Sequence, residues 1–326
     1  MYFFRKLKKN YYFLPGFVFI ILIASALFFL WAEIYLPVNR FSAQPQVFEV
    51  AMGQGAKEIS DNLQGKGLIR NGFLFRAYVF FEGKAGELQA GDYELSMAMA
   101  IPEIAEKIAS GNRIKKMITV IEGWDIADVE DCLRKQGFSN SEKILEIDKQ
   151  KKIEGYLFPD TYEIFLEEGV AGAVSKMMAN FEEKITPEMR KEIDSQGKSL
   201  SDIITMASLI EKEVKSITDK KIVSGVLWKR IEIGMPLQVD CAIIYATGGN
   251  AKRVLYDDLE VDSLYNTYKN KGLPPGPICN PGIDSIMAAI YPQKTSYLYY
   301  LSTPAGNTIF SATLTQHNVA KARYLR

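Results

Sequence analysis

The sequence predicts an α+β chain in three parts: an N-terminal transmembrane helix, a small βααβ-type module, and a mostly helical α+β domain with long loops. Three observations predict it. An uncharged, apolar run fills residues 10–32. A strand–turn–helix pattern recurs between Val47 and Gly137. Beyond residue 140 the apolar residues take helical spacing, interrupted by stretches rich in Gly, Pro and Asn. The implied boundaries are a tail at 1–9, the transmembrane helix at 10–35, a linker at 36–46, the module at 47–117 and the second domain at 118–326.

The first element follows from hydropathy. Phe13 to Trp31 is nearly all Phe, Leu, Ile, Val and Ala, and one membrane crossing needs roughly 20 such residues. Arg5, Lys6, Lys8 and Lys9 precede the run, and Glu33 follows it. A basic flank stays in the cytoplasm and sends the rest of the chain across. The expectation is a single-pass protein of the cytoplasmic membrane with its N-terminus inside. A signal peptide is the competing reading. The run is long for an apolar signal core of about 7–15 residues, and Ile34-Tyr35-Leu36-Pro37 is a poor cleavage site.

The module follows from a repeat. Val47–Val50 is a β-type run, Gly53 and Gly55 make a turn, and Ala56, Ile59 and Leu63 mark a helix closed by Gly67. The pattern returns as Ile118–Val120, Gly123, then Ile126, Val129 and Leu133, closed by Gly137. A weaker copy runs Tyr93–Leu95, Ala98, then Ile101, Ile104 and Ile108, closed by Gly111. Asn71–Phe81 supplies a further helix. Copies in register predict a module whose strands share one sheet. Such βααβ modules resemble the LysM fold, which binds glycans containing N-acetylglucosamine, although fold alone does not establish binding.

The second domain reads as helices at about 141–149, 170–184, 187–195, 200–216 and 219–232. Long ordered loops fill 233–282. A helix at 284–290, a hairpin (Tyr297–Ser302 with Thr308–Ala312) and a helix at 313–323 follow. Ser199 with Asp202 starts the 200–216 helix as a capping box. That helix carries Glu211 at the edge of a stripe formed by Ile203, Ala207, Ile210 and Val214. A carboxylate there is partly desolvated, which raises its pKa and suits it to general-acid work. The plainer reading is a boundary glutamate paired with Lys215 one turn on.

Composition removes several classes. Basic and acidic residues number 39 each, so no basic excess points to nucleic acid. Cys132, Cys241 and Cys279 are scattered and His317 is the single histidine, which argues against a clustered zinc site. The three cysteines read as free thiols. No nucleophile elbow, phosphate loop or dinucleotide fingerprint occurs. No cofactor or metal is expected.

Three loop segments remain. They are Glu154-Gly155-Tyr156-Leu157-Phe158-Pro159-Asp160-Thr161-Tyr162, then Pro236-Leu237-Gln238-Val239-Asp240, then Tyr265-Asn266-Thr267-Tyr268 with Gly272–Ile278 and Asn280-Pro281-Gly282. The last mixes rigid Pro turns with aromatics and amides, which suits sugar rings and their substituents. Together with the Ala-Ser-x-x-Glu-Lys-Glu helix, the apolar N-terminus and His317-Asn318, they resemble the MltG (YceG-like) family of endolytic murein transglycosylases across nearly the whole chain. Cys241-Ala242 departs from that pattern, where the family often has Pro and a small polar residue.

The resemblance implies that Glu211 is the catalytic glutamate, first an acid to the glycosidic oxygen, then a base to the muramic acid C6 hydroxyl. Gln238, Asn266, Thr267 and Asn280 become candidates for holding N-acetyl groups or orienting Glu211. Glu154, Asp160 and Asp240 either hold loops or touch substrate. Tyr268, Pro275, His317 and Asn318 join the substrate-binding candidates, with helix packing as the other reading of His317. Glu213 reads as a solvated surface residue and Trp124 as core. Implied partners are peptidoglycan glycan strands and peptidoglycan synthases (penicillin-binding proteins). The alternative is a membrane-anchored glycan-binding scaffold for synthases without activity; a water-using muramidase is a third reading.

Overall fold

The computed structural model describes residues 13–248 and 254–325. The tail with Arg5, Lys6, Lys8 and Lys9 lies outside the described residues. These divide into two compact units. One runs up to Lys115 and includes Phe165–Glu167; the other holds Lys116–Ile164 and the chain from Glu168 onward.

The first unit begins with α1 (Phe13–Tyr35), whose side chains from Phe17 to Trp31 are largely exposed. It is long and apolar enough to cross a membrane from Gly16 to Tyr35. Then come β1 (Gln46–Val50), α2 (Ala56–Gly65), α3 (Gly72–Phe81), β2 (Gly91–Leu95) and α4 (Ile101–Ala109). Strands β1 and β2 pair antiparallel with Phe48 opposite Tyr93. Alternation turns Phe48, Val50, Tyr93 and Leu95 inward, where they meet Ile59, Leu63, Phe75, Val79, Ile104 and Ile108. Asn71 starts α3 by accepting hydrogen bonds from the Phe73 and Leu74 amides. The linker has no regular structure but is tied down: the Arg70 guanidinium donates to the carbonyls of Leu36, Pro37 and Val38.

The second unit contains β3 (Lys115–Thr119), α5 (Ile126–Lys135), α6 (Lys143–Lys151), β4 (Thr161–Phe165), α7 (Gly169–Lys184), α8 (Pro187–Ser195), α9 (Leu200–Glu213), α10 (Ile217–Glu232), α11 (Asp240–Ala246), α12 (Ile283–Ile290), β5 (Tyr299–Ser302), β6 (Thr308–Ser311) and α13 (Leu314–Tyr324). Helix α9 runs through the core, with Ile203 to Ile210 all buried among Val223, Leu227, Ile286, Ala289 and Ile290. Each large apolar side chain removed from water there contributes about 1.5–3 kcal/mol.

Four sequence expectations change. The strand of the repeat ending near Val120 does not join β1 and β2; it is β3, and it pairs with β4. Thr161 and Tyr162, the end of an expected loop segment, instead open β4, whose alternation buries Tyr162 and Ile164. Helix α9 stops at Glu213 because Val214 is extended and turns into the core. The 233–282 stretch is not all loop: α11 and a 3-10 turn at Asp257–Glu260 lie in it. Two helical turns between Pro236 and Gly248 are too short to display a period.

Candidate active site

The capping box forms as the sequence requires. The Ser199 amide donates to Asp202 Oδ2 at 2.9 Å, and the Asp202 amide donates to Ser199 Oγ at 3.1 Å. From that start α9 carries Glu211 to its last turn, where the apolar face ends. The Glu211 side chain is only 9% exposed and pairs with the Lys220 ammonium, itself 4% exposed, at 2.9 Å. Its other oxygen accepts the Gly282 amide at 3.0 Å. The expected partner Lys215 lies beyond the helix end; Lys220, in the first turn of α10, takes its place. Lys220 shares a stripe with buried Val223 and Leu227. A lysine on an apolar stripe was the signal that sequence reading passed over.

A second carboxylate stands beside this pair. The turn Ile121–Asp125 runs against the segment Asn280–Gly282, with the Gly123 amide on the Asn280 carbonyl at 2.9 Å and the Asn280 amide on the Trp124 carbonyl at 2.8 Å. Gly123 has φ +81° and its α-carbon faces the Glu211 side chain, so a larger residue is strained there. The Glu122 carboxylate packs on Gly282, and any side chain at Gly282 would collide with it. Glu122 is exposed, but partial desolvation of its carboxylate raises its pKa; the Glu211 charge raises it further, and Lys220 opposes. The sequence offered Glu154, Asp160 and Asp240 as loop-holding or substrate-touching carboxylates and not Glu122. An acid directly before a turn glycine, at the end of a β run, was the available signal. Trp124, expected in the core, is half-buried and works through its carbonyl.

Glu154 lies on the other side of Asn280. Its Oε2 accepts the Ile126 amide at 3.2 Å, and Asn280 Nδ2 lies 3.4 Å from its Oε1. Burial pushes its pKa up to about 8, with the Ile126 amide acting against the rise. It lines a cavity of 610 Å³ with Tyr156, Tyr245, Tyr265, Pro275 and Pro277. The Tyr245 and Tyr265 rings lie 5.1 Å apart. Asp148, Glu182, Lys151 and Lys152 also line it, so aromatic faces and charged groups share the wall, the mixture that suits a sugar ring. A separate cavity of 650 Å³ opens near Trp228 and Tyr291, towards the end of α10 remote from Lys220.

The remaining candidates fall into two groups. Asn280, Asn266 and Thr267 are buried and spend their polar atoms on the protein. Asn280 Oδ1 accepts the Leu157 amide, and Nδ2 donates to the Trp124 carbonyl. Asn266 donates to the Leu259 and Val261 carbonyls and accepts the Tyr268 and Lys269 amides. Thr267 exchanges bonds with the Val239 amide and carbonyl, and its own carbonyl holds the Gln238 amide. This brings Gln238 and Asp240 beside Tyr268, whose hydroxyl donates to Asp240. Gln238 is exposed with φ 52°, a left-handed conformation uncommon outside glycine. His317 is buried on α13 and stacks on Tyr299 at 5.3 Å, while Asn318 is exposed. Burial lowers the His317 pKa. Asp160 caps the start of β4 through the Thr161 amide and binds Asn180. Glu213 is not solvated: it accepts the Tyr300 hydroxyl at 3.0 Å, and burial raises its pKa. Cys132, Cys241 and Cys279 are free thiols.

A family model described as the YceG-like family matches residues 48–323. An endolytic murein transglycosylase of Bacillus subtilis is 35% identical, over 93% of this chain and 91% of its own length. An endolytic murein transglycosylase of Streptococcus pneumoniae is 26% identical over 85% of this chain, which spans 58% of that longer relative. The crystal structure of a YceG-like protein from Listeria monocytogenes superposes with a TM-score of 0.55 at 32% identity, covering 85% of this chain and 99% of that one.

Proposed function

Since the chain belongs to the YceG-like family, we propose that it is an endolytic peptidoglycan lytic transglycosylase cleaving bonds between N-acetylmuramic acid and N-acetylglucosamine. The observation that carries the reading is Glu211: a carboxylate at the last turn of a buried helix, held at both oxygens by Lys220 and Gly282. In the first step Glu211 gives its proton to the glycosidic oxygen, and the bond from that oxygen to the muramic acid C1 breaks. The Lys220 ammonium stabilises the carboxylate this leaves. In the second step that carboxylate takes the proton of the C6 hydroxyl, and O6 closes onto C1 as a 1,6-anhydro ring. No water is consumed, and the proton taken from the C6 hydroxyl replaces the one given to the leaving oxygen.

Glu122 acts on this cycle as a positioning residue. Desolvation and the Glu211 charge raise its own pKa, so Glu122 is a carboxyl that can hold a proton near the reacting residue. The cavity at Glu154 is the proposed seat of a sugar ring, with Pro275 and the tyrosines as stacking faces. Asn280, Asn266 and Thr267 support it by fixing the loops; Gln238, Asp240, Tyr268, His317 and Asn318 are the proposed outer substrate contacts.

Helix α1 is the candidate membrane anchor. The basic residues before it argue for a cytoplasmic N-terminus and an extracytoplasmic catalytic domain in the cytoplasmic membrane. The first unit, with its β1-α2-α3-β2 order, is proposed as a LysM-like glycan-binding module. Anchored this way, the enzyme meets newly made strands, where cutting terminates elongation. Peptidoglycan synthases are its proposed neighbours.

The test is mass spectrometry of products from uncrosslinked strands, with Glu211→Gln beside the parent chain. Internal fragments ending in 1,6-anhydromuramic acid, lost in the variant, are expected. Reducing ends would replace the reading with hydrolysis, for which Glu122 is the second carboxylate. Full cellular function in a Glu211→Gln strain would favour the scaffold.

A further inference from the structure

Helix α3 is apolar on more sides than its own module can cover. Its sequence, Gly-Phe-Leu-Phe-Arg-Ala-Tyr-Val-Phe-Phe, offers three faces. Phe75 and Val79 are fully buried in the module core. Leu74 and Tyr78 are partly buried and pack against that core together with Ile34 of α1. Phe73, Phe80 and Phe81 remain outside: 65%, 72% and 83% exposed. With Ala77 they follow helical spacing, so they form one continuous stripe. A soluble helix places polar residues on its open face. Three exposed phenylalanines in one stripe mark a contact surface, not scattered surface residues.

The neighbouring helix indicates what covers them. Near its end α1 carries a ladder of rings, Phe28 on Trp31 and Trp31 on Tyr35, each pair 5.9 Å apart. Trp and Tyr in this position mark the water–lipid boundary of a spanning helix. Tyr35 meets Tyr78 of α3 edge-on at 6.4 Å. Arg70, just before α3, grips the three carbonyls that follow α1. Helix α3 is therefore held at the level where α1 leaves the bilayer, with Phe73, Phe80 and Phe81 left exposed by the described residues.

We propose that the Phe73–Phe80–Phe81 stripe of α3 is a second membrane contact, seated at the boundary between lipid headgroups and acyl chains beside the point where α1 emerges. This rests on α1 being a membrane anchor. A monotopic helix of this kind buries an apolar face in that boundary, and the same lipid that solvates α1 is available to α3 without any further partner. The surface would fix how the first module faces the bilayer.

The experiment uses the full chain in vesicles of phosphatidylcholine and phosphatidylglycerol. The photoreactive residue p-benzoylphenylalanine replaces Phe73 or Phe81, Leu22 in α1, or the exposed Glu58 of α2, one at a time. Ring-for-ring replacement at exposed positions leaves the core untouched. After irradiation, lipid adducts are read by mass. Adducts at Phe73, Phe81 and Leu22, several-fold above Glu58, are the expected result. Adducts at Leu22 but only background at Phe73 and Phe81 would overturn the surface while leaving the anchor. Cross-links from Phe81 to a second copy of the chain, without lipid adducts, would overturn it in favour of self-association. Background at Leu22 would remove the anchor itself, and this proposal with it.

Discussion

Glu211 and Glu154 are both buried glutamates, and both lean on the segment Asn280–Gly282, yet their surroundings differ in one respect. Glu211 has a cation, Lys220, at 2.9 Å. Glu154 has amide donors, Ile126 N–H and Asn280 Nδ2, and no cation in bonding distance among the described contacts. Burial drives Glu154 towards its neutral form, at about 8. The comparison teaches that one stretch of loop can serve a carboxylate that exchanges charge during a reaction and a carboxyl that stays an uncharged hydrogen-bonding wall. Which of the two a glutamate becomes depends on a lysine contributed by another helix.

The largest expected effect breaks the Glu211 side. Glu211→Gln keeps shape and the Gly282 bond but cannot move a proton, so cleavage should fall by about 10²–10⁴-fold, the usual worth of acid–base catalysis. Product quantification at fixed enzyme concentration reads it; a loss below tenfold would remove Glu211 from the chemistry. Next, Lys220→Met leaves a buried carboxylate without its cation. Denaturant unfolding should lose about 3–5 kcal/mol. An unchanged midpoint would mean that the pair is open to water.

The Glu154 side is sharpened by pH. Its folded pKa of about 8 lies above the ordinary glutamate value of 4.5. The folded state therefore binds the proton more tightly. The stabilisation is fully present below pH about 4.5 and is lost as pH rises through about 8. Glu154→Gln removes that slope. Melting temperatures measured from pH 5 to 9 should fall for the parent chain and stay flatter for the variant. Parallel curves would mean that Glu154 is ionised throughout.

The smallest effect concerns Glu122, whose pKa the Glu211 charge raises. Glu122→Gln removes a negative charge beside Glu211. It also removes a group whose pKa is raised, so that group's limb should leave the pH profile of cleavage, with a rate loss of about tenfold. An unchanged profile would make Glu122 a packing residue for the Gly282 turn.

Helix α9 was legible because the apolar spacing from Ile203 to Val214 and a capping box agree, and both are local signals. Helices α7, α8, α10 and α12 were found by the same means, within a few residues of their ends. Lys220 and Glu122 were not legible as partners of Glu211. One comes across a helix–helix turn and the other from a strand end far along the chain, and their meeting is a tertiary fact. Strand β4 was hidden because Pro159 and Asp160 precede it and present a turn signal. Glu213 was misplaced for the opposite reason: helical spacing turned it off the stripe of Ile203 and Ala207, but Tyr300 of the hairpin arrives to cover it.

The grip of Arg70 on Leu36, Pro37 and Val38 has a mechanical consequence. A slack leash of about ten residues would let its far end wander over about 17 Å. Here the first residues of the leash are clamped to the body they are meant to tether. Torque applied to α1 is passed to the first module instead of being dissipated in the connecting chain, so the module turns when the helix turns.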